Sequence, residues 1–241
     1  MVRRLYAAQL PAATSELTLD DESRHHAQVL RVSAGDALRL FDAAGLEADA
    51  RVLRCDKRAL VCEVQGAEAI ARPERAVHLA VCLPKAAKLE LIVRMATELG
   101  VQTVQLIQSE RSVPKWGADD PKHERLRRIA IEACAQSEQA YAPTMSGPLP
   151  LAAALAAAPS GALKCAFIER AVGATLPNPL TGQPQAAWAL IGAEGGFAPE
   201  EVASIASSGA LMVSLGRAIL RVETACVVAC ALLLDRMRVS A

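Results

Sequence analysis

The stretch Leu190-Ile-Gly-Ala-Glu-Gly-Gly-Phe197 is the most informative part of the sequence, because three glycines and one carboxylate directly follow an apolar run at residues 187–191. The apolar run predicts a buried strand, and the glycines allow the backbone to turn sharply and a flat ligand to approach main-chain groups. A plain strand-to-helix turn explains the same glycines equally well. Neither the dinucleotide fingerprint G-x-G-x-x-G nor the P-loop pattern fits, so a nicotinamide-dependent oxidoreductase is the least favoured function.

A second stretch, Ser214-Leu-Gly-Arg-Ala-Ile-Leu-Arg-Val-Glu-Thr-Ala225, also runs from a predicted strand into a predicted helix. Glu223 or Thr224 could simply cap that helix, whereas Arg221 has no such structural explanation. In open α/β folds, ligands usually bind at loops that follow the carboxyl ends of parallel strands. The two stretches therefore predict one ligand site near the end of the chain.

Outward from these stretches, the sequence after residue 76 alternates short apolar runs with longer helical patterns. This alternation predicts an α/β domain with a largely parallel sheet. The predicted strands cover residues 77–83, 104–108, 166–169, 187–191 and 211–214. The predicted helices cover residues 89–99, 120–139, 151–158, 199–209 and 223–237. Asp120 and Pro121 are the expected N-cap and first residue of the second helix.

Before residue 72 the pattern is shorter and more extended. It predicts strands at 37–41, 47–55 and 60–64, and one short helix near 23–30. In the last strand, Leu60, Cys62 and Val64 alternate with the residues of the other face, as a sheet with one buried face requires. The sequence therefore predicts a small β-barrel at residues 1–72 and the α/β domain at 73–241.

The composition excludes several classes of protein. With 241 residues, of which 52% are hydrophobic, the chain is long enough to bury a core. It has no apolar run near the ~20 residues that a membrane-spanning helix needs, and Gln9 and Pro11 interrupt the start too early for a secretory signal. We therefore expect a cytoplasmic protein with no membrane partner. The 26 basic and 26 acidic residues exclude an overall polycation, so partners must be argued from local sites.

The seven cysteines include no C-x-x-C pair, so the sequence predicts neither a disulfide framework nor a metal site. Cys226 and Cys230 share one helical face, but no histidine accompanies them. Core packing therefore explains the pair better than metal binding does.

In their order and spacing, the two glycine-bearing stretches resemble the C-terminal signature of the RsmE family, bacterial ribosomal RNA uridine-N3 methyltransferases of the SPOUT class. Ala96-Thr-Glu-Leu-Gly-Val101 and Ser109-Glu-Arg-Ser-Val113 resemble stretches in the first half of that family's catalytic domain. His25-His26 with Val29-Leu-Arg31 resembles its PUA-like RNA-binding barrel. The resemblance implies a C-terminal trefoil knot, a homodimer, and S-adenosylmethionine (SAM) held by the knot loops.

The resemblance also implies which residues form the site. Arg221 is the candidate to stabilise the anion that develops when uridine N3 loses its proton, and Glu223 or Glu194 is the candidate to accept that proton or to orient Arg221. The implied cofactor residues are Ile168, Glu169, Leu190, Ile191, Gly192, Glu194, Gly195, Gly196, Leu215, Gly216, Ile219, Leu220, Arg221 and Ala225.

The implied partner is 16S ribosomal RNA in the small ribosomal subunit, and the chain has clustered cations that could contact its phosphates. A charge run is more often a solvated helix face, and only the resemblance favours RNA contacts here. Trp116 is a candidate to stack on a base, whereas Trp188 lies in an apolar strand and is expected in the core. The candidate RNA-binding residues are Arg3, Arg4, Arg24, Arg31, Lys85, Lys88, Arg111, Lys115, Arg125, Arg128 and Gln136.

Several positions depart from the family pattern and leave alternatives open. Ala193 stands where a proline is typical, and Ala135, Glu138 and Gln139 occupy positions of an acid, a glycine and an arginine. One alternative is a SPOUT methyltransferase that acts on a different RNA nucleotide. Another is a catalytically silent RNA-binding or ribosome-assembly protein that kept the fold.

Overall fold

A computed structural model describes residues 2–113, 116–117, 121–169, 175–177, 180 and 183–237. The chain forms two compact units. The first consists of Met1–Arg72 and Ile131–Ala142, and the second of Pro73–Ala130 and Pro143–Ala241. Each unit contains its own cluster of buried apolar side chains.

The first unit is built on a six-stranded sheet with the strand order β1-β3-β4-β5-β2, in which β6 also pairs with β4. Strand β1 runs parallel to β3, and the other pairs are antiparallel. The predicted strands at 37–41 and 60–64 are confirmed, whereas β1, β2 and β6 were not predicted. The elements are β1 (Arg3–Tyr6), β2 (Ser15–Leu19), α1 (Asp21–Val29), β3 (Ala37–Phe41), β4 (Leu46–Cys55), β5 (Leu60–Val64) and β6 (Glu68–Ala69).

A distant segment, Ile131–Ala142, completes the first unit. The Tyr141 hydroxyl donates to the carbonyl oxygen of Ile70 at 2.6 Å, and the Arg72 guanidinium lies 4.3 Å from the centroid of the Tyr141 ring. A Cβ added at Gly45 would overlap that ring, so Gly45 allows the close approach of Tyr141. The packing of Tyr141 therefore requires a glycine 96 positions earlier in the chain.

The second unit is an α/β fold with one parallel sheet, as predicted. Its strand order is β12-β10-β11-β7-β8-β9, and every pair of neighbouring strands is parallel. The strands are β7 (Ala76–Cys82), β8 (Thr103–Gln108), β9 (Thr144–Pro150), β10 (Leu163–Phe167), β11 (Ala186–Ile191) and β12 (Leu211–Val213). The helices of this unit are α2 (Ala86–Glu98), α4 (Leu151–Ala156), α5 (Pro199–Ser207), α6 (Val222–Met237) and the first part of α3 (Lys122–Ser137). The part of α3 from Ile131 onward belongs to the first unit. Helix α6 packs against β7, β11 and α2.

Two strands of this sheet differ from the prediction. Strand β9 was not predicted, because Gly147, Pro148 and Pro150 read as turn residues. It pairs only with β8, and an edge strand tolerates proline because the missing N–H would face away from its neighbour. Strand β10 begins at Leu163 and ends at Phe167 rather than covering 166–169, so Ile168 lies in the loop after it.

The starts of two helices also differ. Helix α6 begins at Val222, so Glu223 and Thr224 lie inside its first turn and neither is the N-cap. Capping therefore does not explain Glu223 or Thr224, although the sequence alone left that alternative open. Helix α3 begins at Lys122, and its predicted N-cap, Asp120, lies outside the described residues.

Six of the seven cysteines are buried, including Cys226 and Cys230 on α6, and Cys55 is half-buried. Their packing confirms the predicted core role of the α6 pair. Within the ranges that the structure describes, no three His, Cys, Asp or Glu side chains come close enough to hold a metal ion. In the same ranges, no helix combines the length and the hydropathy that crossing a bilayer requires.

Candidate functional site

A cavity of about 410 Å³ opens at the carboxyl ends of strands β10, β11 and β12. These three strands are neighbours in the parallel sheet, so the loops that follow them meet at one edge. The loops begin at Ile168, Gly192 and Ser214, and all three line the cavity. The volume lies within the range of about 300–1,000 Å³ that is typical of sites for small molecules.

Thirteen of the fourteen predicted cofactor residues line this cavity. The exception is Leu190, whose side chain is fully buried in the core on one face of β11. The lining residues that were predicted are Ile168, Glu169, Ile191, Gly192, Glu194, Gly195, Gly196, Leu215, Gly216, Ile219, Leu220, Arg221 and Ala225. Five further lining residues lie within the two glycine-bearing stretches, namely Ala193, Phe197, Ser214, Ala218 and Val222. The lining residues without a sequence signal are Phe167 and Val202.

The glycine loop, residues 192–197, is a tight turn whose backbone faces the cavity. The Gly196 N–H donates to the Ala193 carbonyl at 2.8 Å, so alanine in place of the usual proline still permits the turn. Gly196 has φ +68°, which favours glycine. A Cβ at Gly192 would lie 3.2 Å from Gly196 and from the Phe197 ring. Larger residues at 192 would therefore crowd the turn.

The second loop, residues 214–221, is also shaped by a glycine. Gly216 has φ +113°, and its N–H lies 3.3 Å from the Ser214 hydroxyl oxygen. This bend carries Ile219 to the cavity, where its side chain remains 57% exposed. An apolar side chain this exposed at a cavity wall can bury its surface against a bound ligand.

Glu194 forms an ion pair with Lys88, with 3.0 Å between the carboxylate oxygen and Nζ. Partial burial acts to raise the pKa of Glu194, but the hydrogen bond and charge of Lys88 and nearby backbone N–H groups outweigh it, so the pKa is lowered. One of these N–H groups belongs to Lys85, the N-cap of α2, whose own side chain makes no capping hydrogen bond. A carboxylate with a lowered pKa is a weaker base, which disfavours Glu194 as a proton acceptor.

Glu223 does not line the cavity, although it was predicted as a catalytic residue. Its Oε2 atom is buried and has no hydrogen-bond partner, and its charge helps to raise the pKa of the buried Cys226 thiol, after burial itself. Arg221 does line the cavity and is exposed. No ion pair joins Arg221 to Glu194 or Glu223, all three of which the structure describes.

Two of the predicted RNA-binding residues, Lys88 and Arg111, line the cavity. Arg111 donates to the Gly195 carbonyl at 2.6 Å. Arg125 lies elsewhere on the second unit and makes a two-pronged contact with Glu90 at 2.8 and 2.9 Å. No sequence pattern indicated these two partners, because each lies more than thirty residues away along the chain.

The predicted RNA-binding residues of the first unit differ in accessibility. The Arg4 side chain is only 9% exposed, pairs with Glu47 at 2.7 Å and lies over the Phe41 ring, so its position does not favour a phosphate contact. Arg3 pairs with Asp36. Arg24 pairs with Asp21. The remaining candidates of both units that the structure describes are exposed, namely Arg31, Lys85, Arg128 and Gln136, and Lys115 lies outside the described residues.

The two tryptophans lie in different environments. Trp188 is buried and its Nε1 donates to the Gln105 side chain at 3.3 Å, which confirms its predicted place in the core. Trp116 is half-buried, and the Lys122 ammonium lies 4.6 Å from the centroid of its ring. The proposed stacking of Trp116 on a base stays a prediction.

Two family models match this chain, and they cover different parts of it. The family model described as an RNA methyltransferase domain matches residues 71–234, and the one described as an RNA methyltransferase PUA domain matches residues 19–65. The ribosomal RNA small subunit methyltransferase E of Synechocystis is 31% identical, over 96% of this chain and 77% of the relative. The enzyme of that name from Mycobacterium bovis is 30% identical, over 93% of this chain and 88% of the relative.

A solved structure matches the fold over nearly its full length. It is the putative methyltransferase of Legionella pneumophila in complex with the bound cofactor SAM, with a TM-score of 0.88 and 28% identity over 98% of both chains. Together with the family model that covers residues 71–234, these relatives settle the family. The chain belongs to the RsmE family, the ribosomal RNA small subunit methyltransferases E.

Proposed function

We propose that this protein transfers a methyl group from SAM to N3 of a uridine in the decoding region of 16S ribosomal RNA, on the small ribosomal subunit. The observation that carries the proposal is the single cavity formed by the two glycine-bearing loops and the loop after β10. The chain belongs to a family of ribosomal RNA methyltransferases, and the Legionella relative holds SAM.

The residues of the cavity fit SAM. Three glycines of the glycine loop line the cavity without side chains, so a ligand can approach the main chain closely. Phe197, Ile219 and Leu220 offer apolar surface to a flat ring. SAM supplies an activated methyl group on a sulfonium, so the protein need only align a nucleophile with that carbon and exclude water.

The remaining chemistry concerns the proton of uridine N3. Arg221 is exposed at the cavity wall, where its guanidinium can stabilise negative charge that develops on the base. Of the two candidate carboxylates, Glu194 is held by Lys88, whereas Glu223 has a buried oxygen without a partner. We therefore assign a positioning role to Glu194. Glu223 does not line the cavity, so it could accept the proton only through an intervening water. N3 lies on the pairing edge, so the target base must leave its stack.

We extend the proposal to the features that the family resemblance implies. Residues 1–72 would be the RNA-binding domain and residues 73–241 the methyltransferase domain with a trefoil knot. Two copies would form a homodimer through half-buried apolar residues of α6, among them Val228, Leu232 and Leu234. Sedimentation should then give about twice the 25.4 kDa of one chain. A monomer at micromolar concentration would contradict this part alone.

The test of the proposed function uses labelled SAM and small ribosomal subunits that lack the modification. We expect one label per subunit, mapped to N3 of a decoding-region uridine. Label at another nucleotide would favour a different target, which the altered residues Ala135, Glu138 and Gln139 keep open. SAM binding without any transfer would favour the catalytically silent RNA-binding protein.

A further inference from the structure

The segment Ser109-Glu-Arg-Ser112, directly after β8, is a rigid turn beside the glycine loop. The two serine hydroxyl oxygens lie 2.9 Å apart, the Ser109 N–H donates to the Ser112 hydroxyl at 3.2 Å, and both serines are buried. The Ser112 N–H in turn donates to the Ser109 carbonyl at 3.2 Å. These bonds fix the backbone at Arg111, so its side chain leaves the turn from a defined point.

Glu201 ties this turn to the other side of the glycine loop. One carboxylate oxygen accepts from the Glu110 N–H at 2.9 Å, and the other accepts from the Ala198 N–H at 2.9 Å. Ala198 is the N-cap of α5 and has no side-chain acceptor, so Glu201 supplies the side-chain capping bond at this end of the helix by accepting from the Ala198 N–H. The same carboxylate therefore joins the chain after β8 to the end of the glycine loop.

The Arg111 side chain makes the third connection. Its Nη1 donates to the Gly195 carbonyl at 2.6 Å, and its aliphatic part lies across the same residue, since a Cβ at Gly195 would be 3.3 Å from Arg111 Cδ. A charged donor on a neutral carbonyl forms a strong hydrogen bond. The bond fixes the direction of the peptide between Gly195 and Gly196, in the wall of the cavity.

We propose that Arg111 is a residue that positions the glycine loop for SAM binding, and that it does not contact an RNA phosphate. It acts through the Gly195 carbonyl, while Glu201 holds the turn from which Arg111 extends. The inference rests on the proposed function, because it assumes that SAM occupies this cavity. It reassigns a residue whose charge alone favoured RNA binding.

The two roles predict opposite results in separate binding experiments. Arg111→Ala should weaken SAM binding about ten- to a hundredfold without RNA present, the range expected for loss of one charged hydrogen bond. Its affinity for small ribosomal subunits, measured with S-adenosylhomocysteine at saturation, should remain at the wild-type value. In steady-state assays, KM for SAM should rise while kcat at saturating SAM changes little.

Arg111→Gln and Arg94→Ala are the matched variants. Glutamine keeps a neutral donor and should recover part of the SAM affinity, and Arg94, exposed on α2, loses the same charge away from the cavity and should bind SAM normally. Equal loss in the alanine and glutamine variants would overturn the proposal, because charge and not the hydrogen bond would then matter. Unchanged SAM affinity with weakened subunit binding would also overturn it. If wild-type protein does not bind SAM at all, the proposed function fails first.

Glu201→Gln provides a second route to the same question. A glutamine has one acceptor oxygen, so either the Glu110 or the Ala198 N–H loses its partner. SAM affinity should fall, and the loss in Arg111→Ala/Glu201→Gln should be smaller than the product of the two single losses, because both changes release one loop. Independent, multiplicative losses would contradict the shared role.

Discussion

At the scale of single residues, two arginines of one loop have different surroundings. Arg221 lines the cavity, whereas Arg217, four residues earlier, is exposed and does not. Both carry the same charge on the same short segment, so their sequence environment alone does not separate them. The structure separates them by position, and Arg217 therefore serves as the internal control for Arg221.

Arg221→Ala should lower kcat for methyl transfer by about 10²–10³, the usual cost of removing one donor that stabilises developing negative charge. Arg217→Ala should change kcat much less. Thermal unfolding and SAM titration check that Arg221→Ala keeps the fold and the cofactor. Full activity of Arg221→Ala would refute the role that we assign to this guanidinium.

The ion pair of Glu194 with Lys88 has a pH dependence that can be measured. The folded-state pKa of Glu194 is lowered, so the pair stabilises the fold above the unfolded-state pKa of about 4.3 and loses this effect as the pH falls through the folded value. At pH 7, Glu194→Gln should cost about 0.2–1 kcal/mol, as part-exposed pairs do. The difference in Tm from wild type should vanish in acid.

Glu74→Gln is the control for this pH series, because Glu74 is an exposed carboxylate that lies outside the helices and strands. Its Tm should follow that of the wild-type protein at every pH. A Glu194→Gln variant whose Tm difference grows towards low pH would show that the sign of the effect is wrong.

At the scale of elements, the end of α3 accounts for one departure from the family pattern. Glu138 directly follows the helix and has φ +60°, the left-handed conformation in which glycine is the favoured residue. This is the position at which the resembling family commonly has glycine. The glutamate keeps the same helix ending at the cost of backbone strain.

Glu138→Gly should therefore stabilise the protein by about 0.5–1 kcal/mol, since relief of the strain exceeds the entropy that glycine adds to the unfolded chain. Glu132→Gly, at an exposed position within α3, should destabilise by a similar amount. The midpoint of urea unfolding measures both changes. A shift of the same sign in the two variants would contradict this explanation of residue 138.

The helices and strands that were predicted best are those whose own residues show a clear pattern. Strand β5 alternates buried and more exposed side chains, β3 does so as far as Leu40, and α5 begins with Pro199 and two acids. The strands that were missed lie at edges: β1 is four residues long, and β9 contains prolines. Such strands are defined by their single neighbour, which no local pattern reveals.

The candidate site also has features that local sequence indicated and features that it did not. Glycines, one arginine and a preceding strand marked both loops, and thirteen expected residues meet in one cavity. Leu190 is buried in the core and does not line the cavity, and the sequence does not show which face of a fully apolar strand turns inward. The pairing of Arg4 with Glu47, 43 residues away, was equally hidden.

At the scale of the whole molecule, the thiols report on the integrity of both cores. Burial raises the pKa of Cys165 and of Cys230 to about 12, and that of Cys62 to about 11, and Cys55 is the one cysteine that is only half-buried. A thiol reagent reacts with the thiolate, so buried thiols with a raised pKa stay protonated and inert.

Native protein at pH 8 should therefore release one equivalent from an aromatic disulfide reagent quickly and the other six only after denaturation. Cys55→Ser should remove the fast phase. Rapid reaction of two or more thiols in the native protein would show that one of the cores opens readily.

The packing of Tyr141 against Gly45 and Ile70 has a consequence for anyone who isolates the amino-terminal module. A fragment that ends at Arg72 lacks Ile131–Ala142, so the surface around Gly45 and Ile70 that Tyr141 covers would be exposed to solvent. The same constraint applies during synthesis, because all of Pro73–Ala130 is made before Ile131–Ala142, the segment that completes the first unit. An amino-terminal fragment expressed alone should therefore carry the twelve residues Ile131–Ala142 on a linker. During synthesis, the first unit can fold completely only after residue 142 has been added to the chain.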